Sequence, residues 1–342
     1  MHFLRLLRIL SDMEALDRSI LATLAYYGAL RRPLTPVETY ERLIPSERLG
    51  VPALRPTLGA IVSRLDALVA DTTVVTEYGL YALADTPAEF GALFVQRQKE
   101  SARKYQRLLK YAWWLQAVPY VRALATSGSL ALASTGKESD WDMFVVAHAG
   151  RLYTARTSLL LATLMMGRLR TKRMRSAPDT FCFNHYITTD GLALRHRSIF
   201  TAHAMAWLIP VFDTNNILRK LWQANQWICD YSAQAGGTEF VRRSVTHSRV
   251  LNAARRTLEF FLNTFIGAAI ERVFRVWMQR RINRNPVTRE RGGRIVADAR
   301  ELEFHPHSFE AVALARYHTT LTRYGLGRYL EHLQRNGNLY DS

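Results

Sequence analysis

The stretch TSGSLALASTGKESDWDMFVV, residues 126–146, constrains the fold of this chain more than any other segment. It contains a Gly-Ser turn, a short apolar run, a loop, and two aspartates that lead into an apolar strand. A strand-like segment precedes it, and a helix-like and a strand-like segment follow, at 120–125, 151–167 and 180–188. This order of strand, turn, helix, strand, helix and strand is an α/β pattern, and it predicts an α/β (α+β) core.

Asp140 and Asp142 lie two residues apart at the start of the apolar strand. Side chains two apart on a strand point to the same face, so both carboxylates can hold Mg²⁺ or Mn²⁺ together. Such a cation neutralises charge on a triphosphate and aligns an incoming hydroxyl for attack at phosphorus. The alternative is structural: Ser139 and Asp140 form an ordinary turn, and Asp142 faces solvent.

The Gly-Ser pair and the following loop supply the candidate phosphate-binding groups. Gly128 lets the backbone approach a phosphate closely. The Ser129 hydroxyl, with the amides that open the next short helix, can cradle that phosphate. Lys137 and Ser139, in the loop before the aspartates, are candidate helpers in nucleotide binding.

This combination resembles the signature of the nucleotidyltransferase superfamily, which includes DNA polymerase β, poly(A) polymerases, CCA-adding enzymes and small antibiotic nucleotidyltransferases. In that family a Gly-Ser or Gly-Gly pair precedes an acidic-x-acidic pair by about ten residues, and ten residues separate Ser129 from Asp140 here. The segments CFNHYIT, 201–203, 224–227 and LEFHPH are also similar to a poorly characterised group of bacterial and archaeal nucleotidyltransferase-domain proteins.

The resemblance implies metal-dependent transfer of a nucleoside monophosphate from an NTP to a hydroxyl acceptor, with Asp140 and Asp142 as catalytic metal ligands. The family also supplies a third carboxylate from a later strand. The matching run here, 180–188, contains no acid, and Asn184 occupies the suitable alternating position as an auxiliary group. Alternation along this run predicts Asn184 and Tyr186 on the side opposite Phe183 and His185. An amide oxygen can ligate metal but brings no negative charge. Asp179 precedes this run and Asp190 follows it. Either could supply the third carboxylate only in a different strand register. A nucleotide- or nucleic-acid-binding regulator without catalysis therefore stands as the alternative function.

Sequence patterns divide the chain into a winged-helix-like domain at 1–90, a connecting helix at 91–119, the nucleotidyltransferase core at 120–200 and a mostly helical region at 201–342. The segment 199–212 is expected to be helical, and the segment 294–325 is expected to form a short strand and a helix. The first part has the order helix, helix, helix and hairpin that is typical of winged helices. Its helix at 57–70 favours either nucleic-acid recognition or a packing role.

Charge indicates the class of partner. Lys plus Arg exceed Asp plus Glu by 46 to 29, which gives a net charge of +17. Such a balance favours a phosphate-bearing partner: NTP, RNA, DNA or an anionic membrane. Basic runs at 97–110 and 168–175 are the candidate polyanion contacts. The alternative for 97–110 is the solvated basic face of a packed helix. The Arg-rich segment 250–282 carries apolar residues at intervals of three and four, which predicts one long helix with a buried packing stripe.

No apolar segment reaches the roughly 20 residues that cross a bilayer, so we expect a cytoplasmic protein without a transmembrane span. Cys182 and Cys229 have no metal-ligand or redox spacing. Both lie in apolar segments and are expected to be core residues in a reducing compartment.

The histidines give weaker signals. Arg197 and His203 have the Arg-x5-His spacing of HEPN ribonucleases, but core or capping roles are favoured for both. His305 and His307 flank a proline without acidic or cysteine partners at ligand spacing, so no zinc site is predicted.

Overall fold

A computed structural model describes residues 2–171, 177–232, 234–235, 244–285, 294–305 and 309–327, with side chains described from residue 14 onward. Within this part of the chain there are eleven α-helices, a six-stranded mixed sheet and a two-stranded sheet. The predicted mixed α/β class is therefore confirmed.

The six-stranded sheet carries the candidate site. Its strand order is β6-β3-β4-β5-β8-β7, and β4 and β5 are its parallel pair, while the other neighbours are antiparallel. The strands are β3 Val121–Thr126, β4 Trp141–Ala147, β5 Phe181–Thr188, β6 Ile209–Asp213, β7 Arg294–Ala297 and β8 Glu301–His305. Helix α6, Leu152–Met165, connects the two parallel strands, as a parallel crossover requires.

Both faces of β4 are apolar beyond its first residues. Met143 and Val145 pack into one cluster of buried side chains, with α6 and the end of α4 (Phe90–Ala112). Phe144 and Val146 pack into a second cluster on the opposite face. A strand covered on both faces reads as a continuous apolar run, which is why the sequence after Asp142 lacks alternation.

The N-terminal part has the predicted order of three helices and a hairpin. The helices are α1 His2–Ala29, α2 Pro36–Glu41 and α3 Leu58–Ala70, and the hairpin strands are β1 Val74–Glu77 and β2 Leu80–Leu83. Tyr78 and Gly79 turn the hairpin with positive φ at both positions, as a type I′ turn requires. The Arg64 side chain of α3 donates twice to Asp17 of α1, at 2.7 and 2.6 Å.

One cluster of buried side chains joins this N-terminal part to the rest of the molecule. It contains Ile20 and Leu65 together with Phe144 of the large sheet and Tyr317 of α11, Phe309–Arg323. Helix α4 then runs along the other side of β4 and β5 and ends in a 3-10 turn, Trp114–Ala117.

The region after residue 200 contains more strand than the sequence predicted. Helix α7, Ile199–Ala206, ends before an edge strand that pairs with β3. The expectation of a continuous helix through 212 was wrong, because Pro210 lacks the amide hydrogen that a helix interior needs, whereas an edge strand tolerates it. The expected single strand near 301 is a β7–β8 hairpin. Helix α8, Ile217–Ala224, follows the edge strand.

The long helix predicted at 250–282 is two helices, α9 Arg249–Leu262 and α10 Phe265–Asn283. The break is tight: a Cβ atom on Gly267 would lie 1.7 Å from the Leu262 carbonyl oxygen. The predicted burial of the apolar stripe is also wrong, since Leu258, Phe261, Phe265, Val273 and Trp277 are exposed.

Candidate functional site

Asp140 and Asp142 lie where β4 begins, beside the end of β3. The Ser127 amide donates to the Asp142 carbonyl oxygen at 3.0 Å, and the Trp141 amide donates to the Thr180 carbonyl at 2.8 Å. These bonds fix the backbone around both aspartates between the neighbouring strands. The Asp140 side chain is 13% exposed, and Asp142 is half-buried. The structural alternative, in which Asp142 faces solvent, therefore does not describe Asp142.

Gly128 lies directly against the Asp142 carboxylate. Its φ is +59°, and a Cβ atom added there would lie 2.6 Å from Asp142 Oδ2. Only glycine fits without displacing the carboxylate, because the position combines left-handed backbone with near contact. Ser129 follows, half-buried, in the short helix α5, Gly128–Ala131. The Gly-Ser pair and the second aspartate therefore form one unit in space, as their spacing predicted.

Asn184 and Cys182 of β5 complete the immediate surroundings of Asp142. Asn184 donates from Nδ2 to Asp142 Oδ1 at 2.6 Å, and the Cys182 thiol donates to Asn184 Oδ1 at 2.8 Å. Cys182 is the register partner of Asp142. The expectation that Cys182 is a core residue was wrong: it is half-buried and lies beside the aspartates. Cys229 is half-buried as well.

An irregularity in the pairing of β5 with β4 brings Asn184 and Cys182 together beside Asp142. Met143 pairs with Phe183, but Phe144 pairs with His185, so Asn184 is an extra residue in the ladder. The predicted alternation, with Asn184 and Tyr186 opposite Phe183 and His185, is therefore wrong. A bulge changes the direction in which the side chains of a strand point. The ring centroids of His185 and Phe144 are 5.1 Å apart, so His185 lies on the sheet face that also carries Asp142.

Burial and the neighbouring Asp140 raise the free-energy cost of ionising Asp142. The pKa of Asp142 is raised to about 7 by burial and then by the charge of Asp140, while His305, Arg170 and the Asn184 hydrogen bond act in the opposite direction. Arg170 forms an ion pair with Asp140 Oδ2. Burial, followed by the charges of Asp142 and Asp140, also raises the pKa of the Cys182 thiol well above its ordinary value. A site of this kind favours an added cation.

Helix α4 holds the loop that precedes the aspartates. Lys104 is 1% exposed, and its Nζ donates to the Ser139 carbonyl at 2.9 Å and to Asp179 Oδ1 at 3.2 Å. Arg107 donates to the other Asp179 oxygen at 2.6 Å. The interpretation of run 97–110 as a solvated face thus fails at Lys104, which ties the loop before β4 to the loop before β5. The same contacts place Asp179 in an ion pair outside the metal-ligand group.

The loop residues predicted as helpers have different surroundings. Ser139 Oγ accepts from the Gly136 amide at 3.0 Å, so its hydroxyl shapes the loop. Lys137 is exposed on the same loop. Asp190 lies at the far end of β5 and pairs with Arg300 at 3.3 Å.

Asp140, Asp142 and Cys182 each place a potential ligand atom within 4.8 Å of the others. The two carboxylates match the oxygen ligands that Mg²⁺ and Mn²⁺ prefer, whereas Asn184 turns its Nδ2 to Asp142 and its Oδ1 to the Cys182 thiol. The protonated thiol is a poor ligand for either ion. Among the described residues, the only group of three His, Cys, Asp or Glu side chains that contains both aspartates has Cys182 as its third member.

A second group of ligand-type side chains lies on β5 and β8. His185 Nε2 is 3.0 Å from Glu301 Oε1, and Glu303 contacts both His305, at 3.1 Å, and Arg294. Burial alone would raise the pKa of Glu303, but His305, His185 and Arg294 lower it to about 2. The sequence did not predict the contact of His185 with Glu301, because the two residues are 116 positions apart. It also did not predict that His305, for which no acidic partner was expected, contacts Glu303 two positions before it. His307 lies outside the described residues.

His203 is a core residue, as favoured from the sequence. Its ring bonds the Tyr27 hydroxyl at 2.9 Å and the Tyr231 carbonyl at 3.1 Å. Burial, and then the charge of Arg42, lowers its pKa to about 3, so the ring is neutral near pH 7. Arg197 packs over the Trp227 ring, and no ribonuclease-type arrangement is needed to explain either residue.

Two further candidate regions remain. A cavity of about 100 Å³ lies at the opposite end of β5, lined by Asp190, Arg195 and Arg300 among others, and is too small for a nucleotide. In the basic run 168–175, Arg168 bonds the Tyr111 hydroxyl at 2.8 Å and Arg170 bonds Asp140, whereas residues 172–176 lie outside the described part of the chain.

Within the described residues, no helix is long and apolar enough to cross a membrane. No protein-family model, curated protein or solved structure gives a significant match to this chain.

Proposed function

We propose that this protein is a metal-dependent nucleotidyltransferase, which moves a nucleoside monophosphate from an NTP to a hydroxyl acceptor. The observation that carries the proposal is the packing of Gly128 against Asp142: left-handed glycine backbone lies against a carboxylate that shares its site with Asp140. This arrangement places a phosphate-approachable backbone next to a pair of oxygen ligands. The resemblance to the nucleotidyltransferase superfamily, seen in the sequence, supports the same function.

In this proposal Asp140 and Asp142 hold Mg²⁺ or Mn²⁺. The bound cation supplies charge neutralisation on the triphosphate and alignment of the acceptor. Gly128 and Ser129 present backbone amides and a hydroxyl to the phosphates, with Lys137 and Ser139 on the adjoining loop. Asn184 keeps the Asp142 carboxylate oriented through its bond to Oδ1.

The proposed reaction is a substitution at the α-phosphorus. The acceptor oxygen forms a bond to that phosphorus, the bond to the bridging oxygen breaks, and pyrophosphate leaves with the electron pair. The acceptor proton passes to water, because both carboxylates are assigned to the cation.

The test is label transfer from each α-labelled NTP, with Mg²⁺ or Mn²⁺, to a panel of RNA, DNA, protein and small-molecule acceptors. We expect transfer by the native protein and loss of at least about a thousandfold in Asp142→Asn, since removing a metal-binding carboxylate removes most transition-state stabilisation. The matched control is Asp190→Asn, which removes a carboxylate at the far end of β5. Equal transfer by native protein and Asp142→Asn would contradict the proposal.

A second function has its own supporting observation. Cys182 and Asn184 occupy the space beside Asp142 where the resemblance implies a third acid, and Arg170 pairs with Asp140. These features favour a nucleotide- or nucleic-acid-binding regulator without catalysis. Metal-dependent NTP binding without transfer to any acceptor distinguishes it. The winged-helix-like part gives limited support to nucleic-acid recognition, because Arg64 of α3 is engaged with Asp17.

A further inference from the structure

Helices α9 and α10 present a large apolar surface to solvent. Phe265 is 83% exposed, Phe260 74%, Phe261 67% and Trp277 53%. The whole set, which we call the α9–α10 surface, consists of Val250, Leu258, Phe260, Phe261, Phe265, Ile266, Val273, Val276 and Trp277. Exposed apolar patches of this extent mark sites of interaction with another surface.

Helix α9 is attached to the molecule through polar groups. Glu259 accepts from the Tyr120 amide at 2.7 Å and from the Arg122 side chain at 2.7 and 3.1 Å. Arg255, which is buried, donates to the Val121 carbonyl at 3.1 Å. The apolar face of α9 therefore points away from the core, opposite to the usual orientation of an amphipathic helix.

Helix α10 is attached in the same way. Glu271 is buried and accepts from the amides of Tyr153 and Thr154, at 3.0 and 2.7 Å, and from the Thr154 hydroxyl at 2.6 Å. These groups belong to the first turn of α6, so the carboxylate caps that helix. Val273, Val276 and Trp277 lie on the remaining, exposed side of α10.

The charge around this surface has one sign. Residues 244–285 contain eight arginines, two glutamates and no aspartate or lysine. Both glutamates, Glu259 and Glu271, are used for inward contacts. Six of the arginines are exposed, at 249, 256, 272, 280, 281 and 284, and Arg281 lies over the Trp277 ring.

We propose that the α9–α10 surface binds the surface of an anionic lipid bilayer, with both helices lying in the interface. Exposed phenylalanine, tryptophan and valine would enter the acyl boundary, while the arginines contact phosphate and other anionic headgroups. A second copy of this chain is a poorer occupant, because a two-fold contact would bring two like-charged faces together. This function is independent of the proposed nucleotide transfer, since none of the residues involved belongs to the aspartate site.

Vesicle flotation with the full chain tests the proposal. Phosphatidylcholine vesicles with phosphatidylserine should bind the protein, and vesicles of phosphatidylcholine alone should bind it at least about tenfold more weakly. Binding should weaken as sodium chloride rises, because screening shortens the range of the headgroup charge. Phe261→Ser/Phe265→Ser should weaken partitioning by at least about tenfold, since two apolar side chains no longer leave water.

Two matched controls isolate the surface. Tyr78→Ser removes an aromatic side chain that is 79% exposed in the β1–β2 turn, and Arg103→Ala removes an exposed cation on α4. Both should bind vesicles like the native protein, whereas Arg272→Ala/Arg280→Ala should bind more weakly. Thermal unfolding of each variant checks the fold, and quenching of Trp277 by brominated lipid, with Trp277→Phe as reference, reports insertion directly.

Three results would overturn the proposal. One is equal binding to neutral and anionic vesicles, or none to either. Another is vesicle binding by Phe261→Ser/Phe265→Ser that matches the native protein. The third is a stable dimer that Phe261→Ser/Phe265→Ser dissociates, in the absence of vesicle binding, which would assign the surface to a second copy.

Discussion

Replacement of Gly128 by alanine tests how closely the Gly-Ser turn and the second aspartate are coupled. The added Cβ would lie 2.6 Å from Asp142 Oδ2 and 3.2 Å from its Cγ, at a φ of +59°. Left-handed backbone costs a non-glycine residue roughly 1–2 kcal/mol. Overpacking against the carboxylate adds roughly 1–3 kcal/mol. We therefore expect Gly128→Ala to lower the free energy of unfolding by about 2–5 kcal/mol.

Gly150 supplies the matched control for backbone strain. Its φ is +71°, and nothing lies within 4 Å of an added Cβ. Gly150→Ala should therefore cost only the roughly 1–2 kcal/mol of left-handed backbone. The difference between the two variants measures the contact with Asp142.

The assay is denaturant unfolding of a double-mutant cycle in metal-free buffer. If the added Cβ clashes with the carboxylate, Gly128→Ala in an Asp142→Ala background should lower the free energy of unfolding by no more than Gly150→Ala does. The coupling energy between positions 128 and 142 should then be about 1–3 kcal/mol. The close packing would be refuted if Gly128→Ala and Gly150→Ala lowered the free energy of unfolding of the otherwise native protein by the same amount. A coupling energy near zero would refute it as well.

Three other changes have expected outcomes. The pKa of Asp142 is about 7 in the native state and near 3.9 in the unfolded state, so between these pH values the native state holds a proton that the unfolded state has lost. In metal-free buffer the free energy of unfolding should therefore fall as pH rises through this window. Asp142→Asn should remove that pH dependence, as measured by denaturation at several pH values. Asn184→Asp should tighten Mn²⁺ binding in calorimetry by adding a carboxylate beside Asp142, and it should destabilise the metal-free protein; unchanged affinity would contradict this. Lys104→Met should lower the free energy of unfolding by about 1–3 kcal/mol, because it removes the donor of the Ser139 carbonyl and one of two cations that bind Asp179, which keeps Arg107. The exposed control Arg103→Met should change it by less than about 0.5 kcal/mol.

The parts of the site that are close in sequence were predictable. Gly128, Asp140 and Asp142 are joined by a short turn and a strand, so residue spacing predicted that they meet, and the structure brings them together. The resemblance to nucleotidyltransferases implied that Asn184 lies beside them, and it bonds Asp142. These predictions needed only local backbone geometry and the parallel placement of two strands.

The other contacts depend on pairings that no local pattern contains. The irregularity at Asn184 moves His185 to the aspartate face, and one extra residue in a strand leaves no signal in an apolar sequence. Cys182 was assigned to the core because its neighbours are apolar, although the register places it opposite Asp142. Lys104 looked like one of several solvated cations until its partner, 75 residues away, was known.

The α9–α10 surface shows that apolar periodicity predicts a helix without predicting its orientation. Apolar spacing of three and four correctly predicted helices, but it cannot tell which face is inward. The inward faces of α9 and α10 are the ones that carry Glu259 and Glu271, because these carboxylates accept hydrogen bonds from backbone amides elsewhere in the fold.

The most direct test of the central claim is Mn²⁺ binding to the metal-free protein, measured by electron paramagnetic resonance with and without an NTP. We expect native protein and Asp190→Asn to bind Mn²⁺ alike, with tighter binding when NTP is present. Binding should be lost in Asp140→Asn/Asp142→Asn, because the paired carboxylates supply the negative charge of the site. Mn²⁺ affinity that is the same in Asp140→Asn/Asp142→Asn as in the native protein would contradict the assignment of these two aspartates as metal ligands.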